Sequence, residues 1–221
     1  MNFLVIGSGA REHIIAQKLF DAGVNVYSVI TNRNPGLINL SKDFLFVNTY
    51  KANVQKIVDF SLSKYIDCVV IGPEDPLALG FSDSFLSKGI PVVGPTKLLA
   101  QIETSKGFTR DLLVRNEIYV SPRYERFNSI NGVEDFIKDL SDEYVVKYDG
   151  LMGGKGVKVS GEHLMSTQEA ISYCNQLIDL GGSFIVEEKL LGEEFSLMSF
   201  CDGKTAVSYT HLTLPTKRGV E

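Results

Sequence analysis

Asn2-Phe3-Leu4-Val5-Ile6 runs straight into Gly7-Ser8-Gly9-Ala10-Arg11-Glu12-His13. Five apolar or neutral residues without polar alternation read as a strand buried on both faces. A glycine turn follows, and residues 11–22 then carry Ile14, Ile15, Leu19 and Ala22 at helical spacing, with Gly23 as a stop signal. Strand, glycine turn and helix in that order open a βαβ unit. The next seventy residues repeat the theme. Strands are expected at 24–30, 44–47, 67–71 and 91–93. Helices are expected at 52–64, where Val54, Ile57, Val58, Leu62 and Tyr65 share a face, and at 79–87. Apolar strands alternating with helices imply a parallel sheet covered on both sides. Residues 1–95 therefore read as a doubly wound α/β domain.

Gly94-Pro95-Thr96 punctuates the chain, and the pattern changes after it. Helices are expected at 105–115, 133–139 and from Ser166 onward, where Ser166-Thr167-Gln168-Glu169 has the spacing of a capping box. Strands are expected at 123–127, 143–147, 157–160, 184–189 and 195–201, with glycine turns at Gly181-Gly182 and Gly192. This reads as a mixed α+β domain over residues 96–207, an antiparallel sheet with helices on one face. No internal repeat is visible. Residues 208–221 fit no packed element and read as foreign sequence at a truncated end.

Composition narrows the classes. The chain has 221 residues, 44% hydrophobic and 22% charged, as expected of a globular protein. The net charge is −5, which argues against a general nucleic-acid coat, because phosphate backbones require a basic surface. Cys68, Cys174 and Cys201 include no close pair, which suits a reducing compartment better than a disulfide framework or a zinc site. No apolar run is of membrane-spanning length and no basic leader precedes the first strand, so the expectation is a cytoplasmic protein without membrane or nucleic-acid partners.

Four stretches carry candidate chemistry. Gly7-Ser8-Gly9 can turn backbone N–H groups and a helix N-terminus toward an anion. The third glycine position of a dinucleotide fingerprint is Glu12, however, and the acid expected after the second strand is replaced by Thr31-Asn32. Gly72-Pro73-Glu74-Asp75-Pro76-Leu77 ends a central strand, at the edge where open α/β sheets bind ligands. Its carboxylates suit an amine or hydroxyls, or simply a helix dipole. Asp149-Gly150-Leu151-Met152-Gly153-Gly154-Lys155-Gly156 is no Walker loop, since Gly156 follows the lysine. Its glycines let backbone N–H groups approach phosphate oxygens, and Lys155 adds a point charge. Lys147 closes the apolar run Tyr144-Val145-Val146 and there needs an anion or water. Finally, Val186-Glu187-Glu188-Lys189-Leu190-Leu191-Gly192-Glu193-Glu194 can offer backbone atoms to a base edge and a carboxylate to ribose hydroxyls; an alternating solvent face is the plainer account of it.

In combination these residues resemble ATP-grasp enzymes, and more narrowly the phosphoribosylamine–glycine ligase (glycinamide ribonucleotide synthetase) family. The resemblance covers residues 1 to about 207. It rests on the order and spacing of Gly7-x-Gly9-x-Arg11-Glu12-His13, Gly72-Pro73-Glu74, Gly94-Pro95-Thr96, Ser105-Lys106-x-Phe108-Thr109, Lys147-x-Asp149-Gly150-Leu151, Gly154-Lys155-Gly156-Val157 and Val186-Glu187-Glu188 with Gly192-Glu193-Glu194. It implies a pre-ATP-grasp domain followed by an incomplete ATP-grasp domain. It further implies that Lys106 and Lys147 contact ATP phosphates and that the loop of Gly153, Gly154, Lys155 and Gly156 folds over them, Lys147 and Lys155 serving as the catalytic cations. Glu187, Glu188 and the backbone near Leu190 would hold adenine, and Glu194 the ribose. Gly7, Gly9, Arg11, Glu12, Glu74 and Asp75 would help bind 5-phosphoribosylamine. The implied reaction joins glycine to 5-phosphoribosylamine through glycyl phosphate, in purine biosynthesis, with Mg or Mn.

The family pattern continues beyond this chain, with a further glycine-rich stretch, metal-ligating Glu and Asn residues and a C-terminal domain. The expectation is thus that no metal ligand lies in residues 1–221 and that the chain alone has little ligase activity. Fusion to other purine enzymes is left open. Another ATP-grasp carboxylate–amine ligase or carboxylase is the nearest alternative; Arg11-Glu12-His13 and Glu74-Asp75-Pro76 favour the glycine enzyme. A nucleotide-binding fragment without catalysis is a further alternative. A nicotinamide-dependent oxidoreductase is disfavoured by Glu12 and the missing acid.

Overall fold

The computed structural model describes residues 1–193, 197, 200, 201 and 204–207. The chain divides into two units, Met1–Lys189 and Leu190–Glu221. In the second, β10 (Phe200–Cys201) pairs antiparallel with β11 (Ala206–Val207). Part of the strand expected at 195–201, Glu194 and the whole of residues 208–221 lie outside the described residues.

The first unit opens with β1 (Asn2–Ile6), α1 (Ala10–Asp21), β2 (Asn25–Ile30), α2 (Pro35–Leu40), β3 (Ser41–Phe46), a 3-10 turn (Lys51–Asn53), α3 (Val54–Ser63), β4 (Cys68–Ile71), α4 (Glu74–Ala78), α5 (Phe81–Leu86) and β5 (Val92–Val93). The strands form one sheet in the order β3-β2-β1-β4-β5, all parallel. Each face has its own core. Leu4, Ile6, Val69, Ile57, Phe81 and Phe85 pack on one side, and Val5, Val26, Ala16 and Leu37 on the other. Leu4, Val5 and Ile6 are consecutive and all fully buried, which is why β1 shows no alternation. The doubly wound reading is therefore the observed fold. Chain order reverses between β1 and β4, so the crevice at their C-terminal ends is the topological switch point.

The helix expected at 79–87 is α5, and a separate short helix, α4, precedes it beyond Leu79-Gly80. Two more helices fall where none is expected. In α2, Asn34 caps the N-terminus by accepting from Leu37 N–H at 3.2 Å, and Pro35 sits inside the first turn. The other is α6 (Lys97–Thr104), capped by the Thr96 hydroxyl. Both starts carried a legible signal, Asn34-Pro35 and Pro95-Thr96, but were too short or too punctuated for periodicity to show.

Beyond α6 come α7 (Lys106–Arg115), β6 (Tyr124–Phe127), α8 (Val133–Asp139), β7 (Tyr144–Tyr148), β8 (Val157–Val159), α9 (Thr167–Asp179) and β9 (Phe184–Glu188). The strands form an antiparallel sheet in the order β6-β9-β7-β8. Its core holds Tyr144, Val146, Phe184 and Val186 from the strands, with Val133 and Ile137 from α8 and Ala170, Cys174 and Leu177 from α9. Helices on one face were expected; α8 and α9 cover one face, but α7 lies against the other, where Arg110 reaches Glu187 of β9. The capping box of α9 is offset: Ser166 Oγ accepts from Glu169 N–H, while the Glu169 carboxylate accepts from Met165 N–H, one residue earlier than the motif prescribes.

Candidate functional site

Side chains alternate across a strand, so the face turned away from α8 and α9 is set by the same sequence that builds the core. On β7 it presents Val145 and Lys147, and on β9 Ile185 and Glu187. The register pairs Val145 with Glu187 and Lys147 with Ile185. Lys147 and Glu187 are thus diagonal neighbours on one face, and Lys147 Nζ ion-pairs with Glu187 Oε1. Glu187 is 3% exposed. Its second oxygen accepts from Arg110 Nε at 3.2 Å and Nη2 at 3.0 Å. Arg110 comes from α7, one turn beyond Lys106, so both cations project from one side of that helix.

Asp149 organises the start of the glycine loop. Its side chain is 1% exposed and ion-pairs with Arg126 Nη2 of β6 at 2.8 Å. Oδ1 accepts from Ser105 Oγ at 3.0 Å and from Gly107 N–H at 3.1 Å, both at the N-terminus of α7. Ser183 Oγ donates to Oδ2 at 3.4 Å. Ser105 also caps α7 by accepting from Phe108 N–H at 3.1 Å. One buried carboxylate therefore joins helix, sheet and loop. Lys106 Nζ donates to Gly150 O at 3.2 Å, across the same junction. Gly153 and Gly154 then take φ of +55° and +79°. A Cβ at either would meet nothing within 4 Å, so it is the left-handed backbone, not crowding, that calls for glycine there.

These elements enclose a cavity of about 660 Å³. One wall carries Lys106, Arg110 and Lys147, with Thr109 beside them; Gly150–Gly154 line another side; Glu74, Asp75 and Glu103 supply acids. Burial pulls the Lys106 ammonium below the usual lysine value, and the Lys147 charge adds to that, while Asp149 opposes it. The cavity is large enough for a nucleotide-sized ligand.

The structure brings together Lys106, Lys147, Gly153, Gly154, Glu74 and Asp75 as cavity-lining residues, with Glu187 behind Lys147. Lys155 is exposed and is not among the lining residues, and Gly156 is buried beneath the loop. Glu188 accepts from Arg123 N–H at 3.2 Å and so helps join β9 to the start of β6. Leu190 is exposed and begins the second unit. Arg110 was missed by sequence reading, although its i+4 spacing from Lys106 was a usable signal. The motif Lys147-x-Asp149-Gly150-Leu151 contains Asp149, but no local signal discloses that its carboxylate joins α7 to β6.

Gly7, Gly9, Arg11 and Glu12 sit instead at the switch point of the parallel sheet. Glu12 is 4% exposed and accepts from Gly9 N–H at 2.7 Å and Arg11 Nε at 3.2 Å. A Cβ on Gly7 or Gly72 would collide with the Glu12 side chain. The glycines thus make room for an internal carboxylate, which takes the N–H that a dinucleotide pyrophosphate would use. This is the physical objection to the nicotinamide reading. Tyr50 lies beside the same cluster, and burial pushes its hydroxyl pKa up.

Comparison with known proteins bears on family and fold. Residues 1–103 match the family model "Phosphoribosylglycinamide synthetase, N domain", and residues 104–214 match "Phosphoribosylglycinamide synthetase, ATP-grasp (A) domain". A phosphoribosylamine–glycine ligase of Methanococcus vannielii is 44% identical over 215 residues, 94% of this chain and 48% of that protein. The crystal structure of a phosphoribosylamine–glycine ligase from Thermotoga maritima superposes with a TM-score of 0.70 at 25% identity, covering 94% of this chain and 48% of that one. The ADP complex of an N5-carboxyaminoimidazole ribonucleotide synthetase, 16% identical, shares the fold with a TM-score of 0.62 over 86% of this chain and 47% of that one. The chain spans about half the length of the curated relatives it matches. Matched almost end to end by consecutive N-domain and ATP-grasp models, the chain belongs to the phosphoribosylglycinamide synthetase family.

Proposed function

We propose that the cavity walled by Lys106, Arg110 and Lys147 binds the phosphates of ATP, and that the chain serves the ATP-driven joining of glycine to 5-phosphoribosylamine. The carrying observation is the convergence of three cations on one cleft beside a left-handed glycine loop, in a chain of this family. Phosphoryl transfer demands positioning and charge neutralisation more than a protein nucleophile. A glycine carboxylate oxygen attacks the γ-phosphorus and ADP leaves, giving glycyl phosphate. The amine of 5-phosphoribosylamine then attacks the acyl carbon, inorganic phosphate leaves, the nitrogen loses a proton and an amide forms. Acyl phosphates hydrolyse readily, so a loop that closes over the cleft protects the intermediate from water.

In this reading Lys106 and Lys147 neutralise phosphate charge, and the N–H groups of Gly153 and Gly154 approach the phosphate oxygens. Lys155 and Gly156 act only when the loop closes, since Lys155 does not line the open cavity. Glu74 and Asp75, on the acidic side of the same cavity, suit the ammonium or amine of a substrate. Gly7, Gly9, Arg11 and Glu12 shape the neighbouring switch-point crevice. A divalent cation, Mg or Mn, is implied by the family. Among the described residues no group of three or more His, Cys, Asp or Glu is placed to hold one, so no step is assigned to a metal here.

Calorimetric titration of the chain with ATP tests the reading, run on the parent and on Lys147→Ala and Lys155→Ala variants. Saturable binding that Lys147→Ala weakens by about tenfold or more is expected, since each removed phosphate contact costs about 1.5–3 kcal/mol. Absence of binding by the parent, or full binding by Lys147→Ala, overturns the assignment of the cleft. Unchanged affinity and unchanged loop protection in Lys155→Ala remove Lys155 from it.

A further inference from the structure

The buried carboxylate of Glu187 is shared between two cations, one on each oxygen: Lys147 on Oε1 and Arg110 on Oε2. A carboxylate that is 3% exposed cannot be left without a counter-ion at low cost. Yet the nucleotide reading requires Lys147 to leave Glu187, at least in part, for a phosphate. Lys147 and Arg110 differ in their fitness for that. Lys147 is a single ammonium on a flexible stem, extending from the end of β7 toward the cavity. Arg110 is fixed on α7 and donates two N–H groups to one oxygen of Glu187, a preorganised arrangement. The other buried acid of the region, Asp149, is already committed to Arg126, Ser105 and Gly107 and cannot take over.

We propose that Arg110 is a positioning residue: the resident counter-ion of Glu187, whose presence frees Lys147 to move between Glu187 and the anionic end of the ligand. Without Arg110, Glu187 holds Lys147 as its sole partner, and an incoming phosphate must strip a buried carboxylate of its last cation. With Arg110, the same exchange leaves Glu187 paired. The inference rests on the nucleotide reading of the cleft for the ligand, but the sharing of Glu187 can be tested without ligand.

The ligand-free test is the acylation rate of individual lysines by an amine-reactive ester, read by mass spectrometry on the intact chain, with the Lys138 rate as internal reference. An ammonium held in an ion pair reacts slowly. Arg110→Gln is expected to slow acylation of Lys147 several-fold relative to Lys138, and Arg110→Lys to keep it within about twofold of the parent. An unchanged Lys147 rate in Arg110→Gln overturns the proposal, as does an equal slowing in Arg110→Lys. The second arm measures affinity for ATP and for inorganic tripolyphosphate. Arg110→Gln should weaken both by about tenfold, and adding Glu187→Gln to that variant should restore both to within about threefold of the parent, because the charge that trapped Lys147 is gone. If Arg110 instead touches phosphate directly, the losses add and no rescue occurs, which also overturns it. A parent chain that binds neither ligand refutes the nucleotide reading, while the acylation arm still decides the role of Arg110. If Arg110→Gln does not fold, the Arg110→Gln, Glu187→Gln double variant, which leaves no buried carboxylate to unpair, decides alone: ATP affinity within about threefold of the parent supports the proposal, and a loss of about tenfold or more overturns it.

Discussion

Lys106 shows how a single residue responds to its setting. Its ammonium is partly withdrawn from water, and burial lowers its pKa despite the nearby Asp149. A lysine whose folded pKa lies below its unfolded value binds fewer protons folded than unfolded at alkaline pH. Its charged form penalises the folded state at lower pH, and that penalty is relieved as pH rises from the folded pKa toward the unfolded one. Urea titrations of the parent and Lys106→Met across the alkaline range should therefore show a rise in relative stability for the parent that the variant lacks. Bound phosphate works in the opposite sense, because it favours the charged amine. ATP affinity is thus expected to fall as pH rises through the lowered Lys106 pKa, and to lose that dependence in Lys106→Met. A parent profile flat up to the normal lysine range refutes the assignment. Much of this residue's setting was legible in the sequence, since Ser105-Lys106 already read as a helix start. Its proximity to Lys147 and Gly150 was not, because residues some forty positions away supply it.

At the scale of elements, α7 is the part that aims the cations. Its start is held twice by Ser105, which accepts from Phe108 N–H and donates to Asp149. Ser105→Ala removes a cap and one donor to a buried carboxylate together. The expected loss is about 1–2 kcal/mol, measured as a shift of the urea midpoint at constant slope, with a smaller loss for Ser105→Thr. ATP affinity should fall in Ser105→Ala as well, since Lys106 and Arg110 both ride on that first turn and a half. A stability change within about 0.3 kcal/mol would mean that Asp149 and the cap do not act together. The helix itself was read correctly, and so were β7 and β9, to within a residue or two at their ends. The short helices α4, α2 and α6 escaped periodicity because five to eight residues offer only about two turns of pattern.

For the whole molecule, two sheets of different kinds contribute to one cavity. The parallel sheet's β4 leads into Glu74 and Asp75, and the antiparallel sheet brings Lys147, with α6 and α7 between them supplying Glu103, Lys106 and Arg110. Sequence reading assigned the acids and the lysines to separate domains and separate substrates; the cavity joins acidic and basic walls. The chain covers about half of its curated relatives, and none of its described residues forms a metal-binding group. The chain is expected to gain melting temperature with ATP through this cavity, and a melting temperature unchanged at saturating ATP refutes nucleotide binding there.

By itself the sequence determined the two fold classes and most of their elements. Lys106 entered only through the family resemblance; the residues themselves marked the glycine loop and three of the cavity's charged groups, Lys147, Glu74 and Asp75. These rest on local physics: burial of consecutive apolar residues, helical spacing, caps and glycine turns. Only the tertiary structure decided that Glu187 is a shared counter-ion, that Arg110 is its second partner from 77 positions away, that Asp149 ties loop to helix, and that Glu12 fills the crevice beneath Gly7 and Gly72. Such pairings depend on strand register and on which helix lies across which sheet face. No local window of sequence contains that information, because the cost of a buried charge is settled by whatever the fold places beside it.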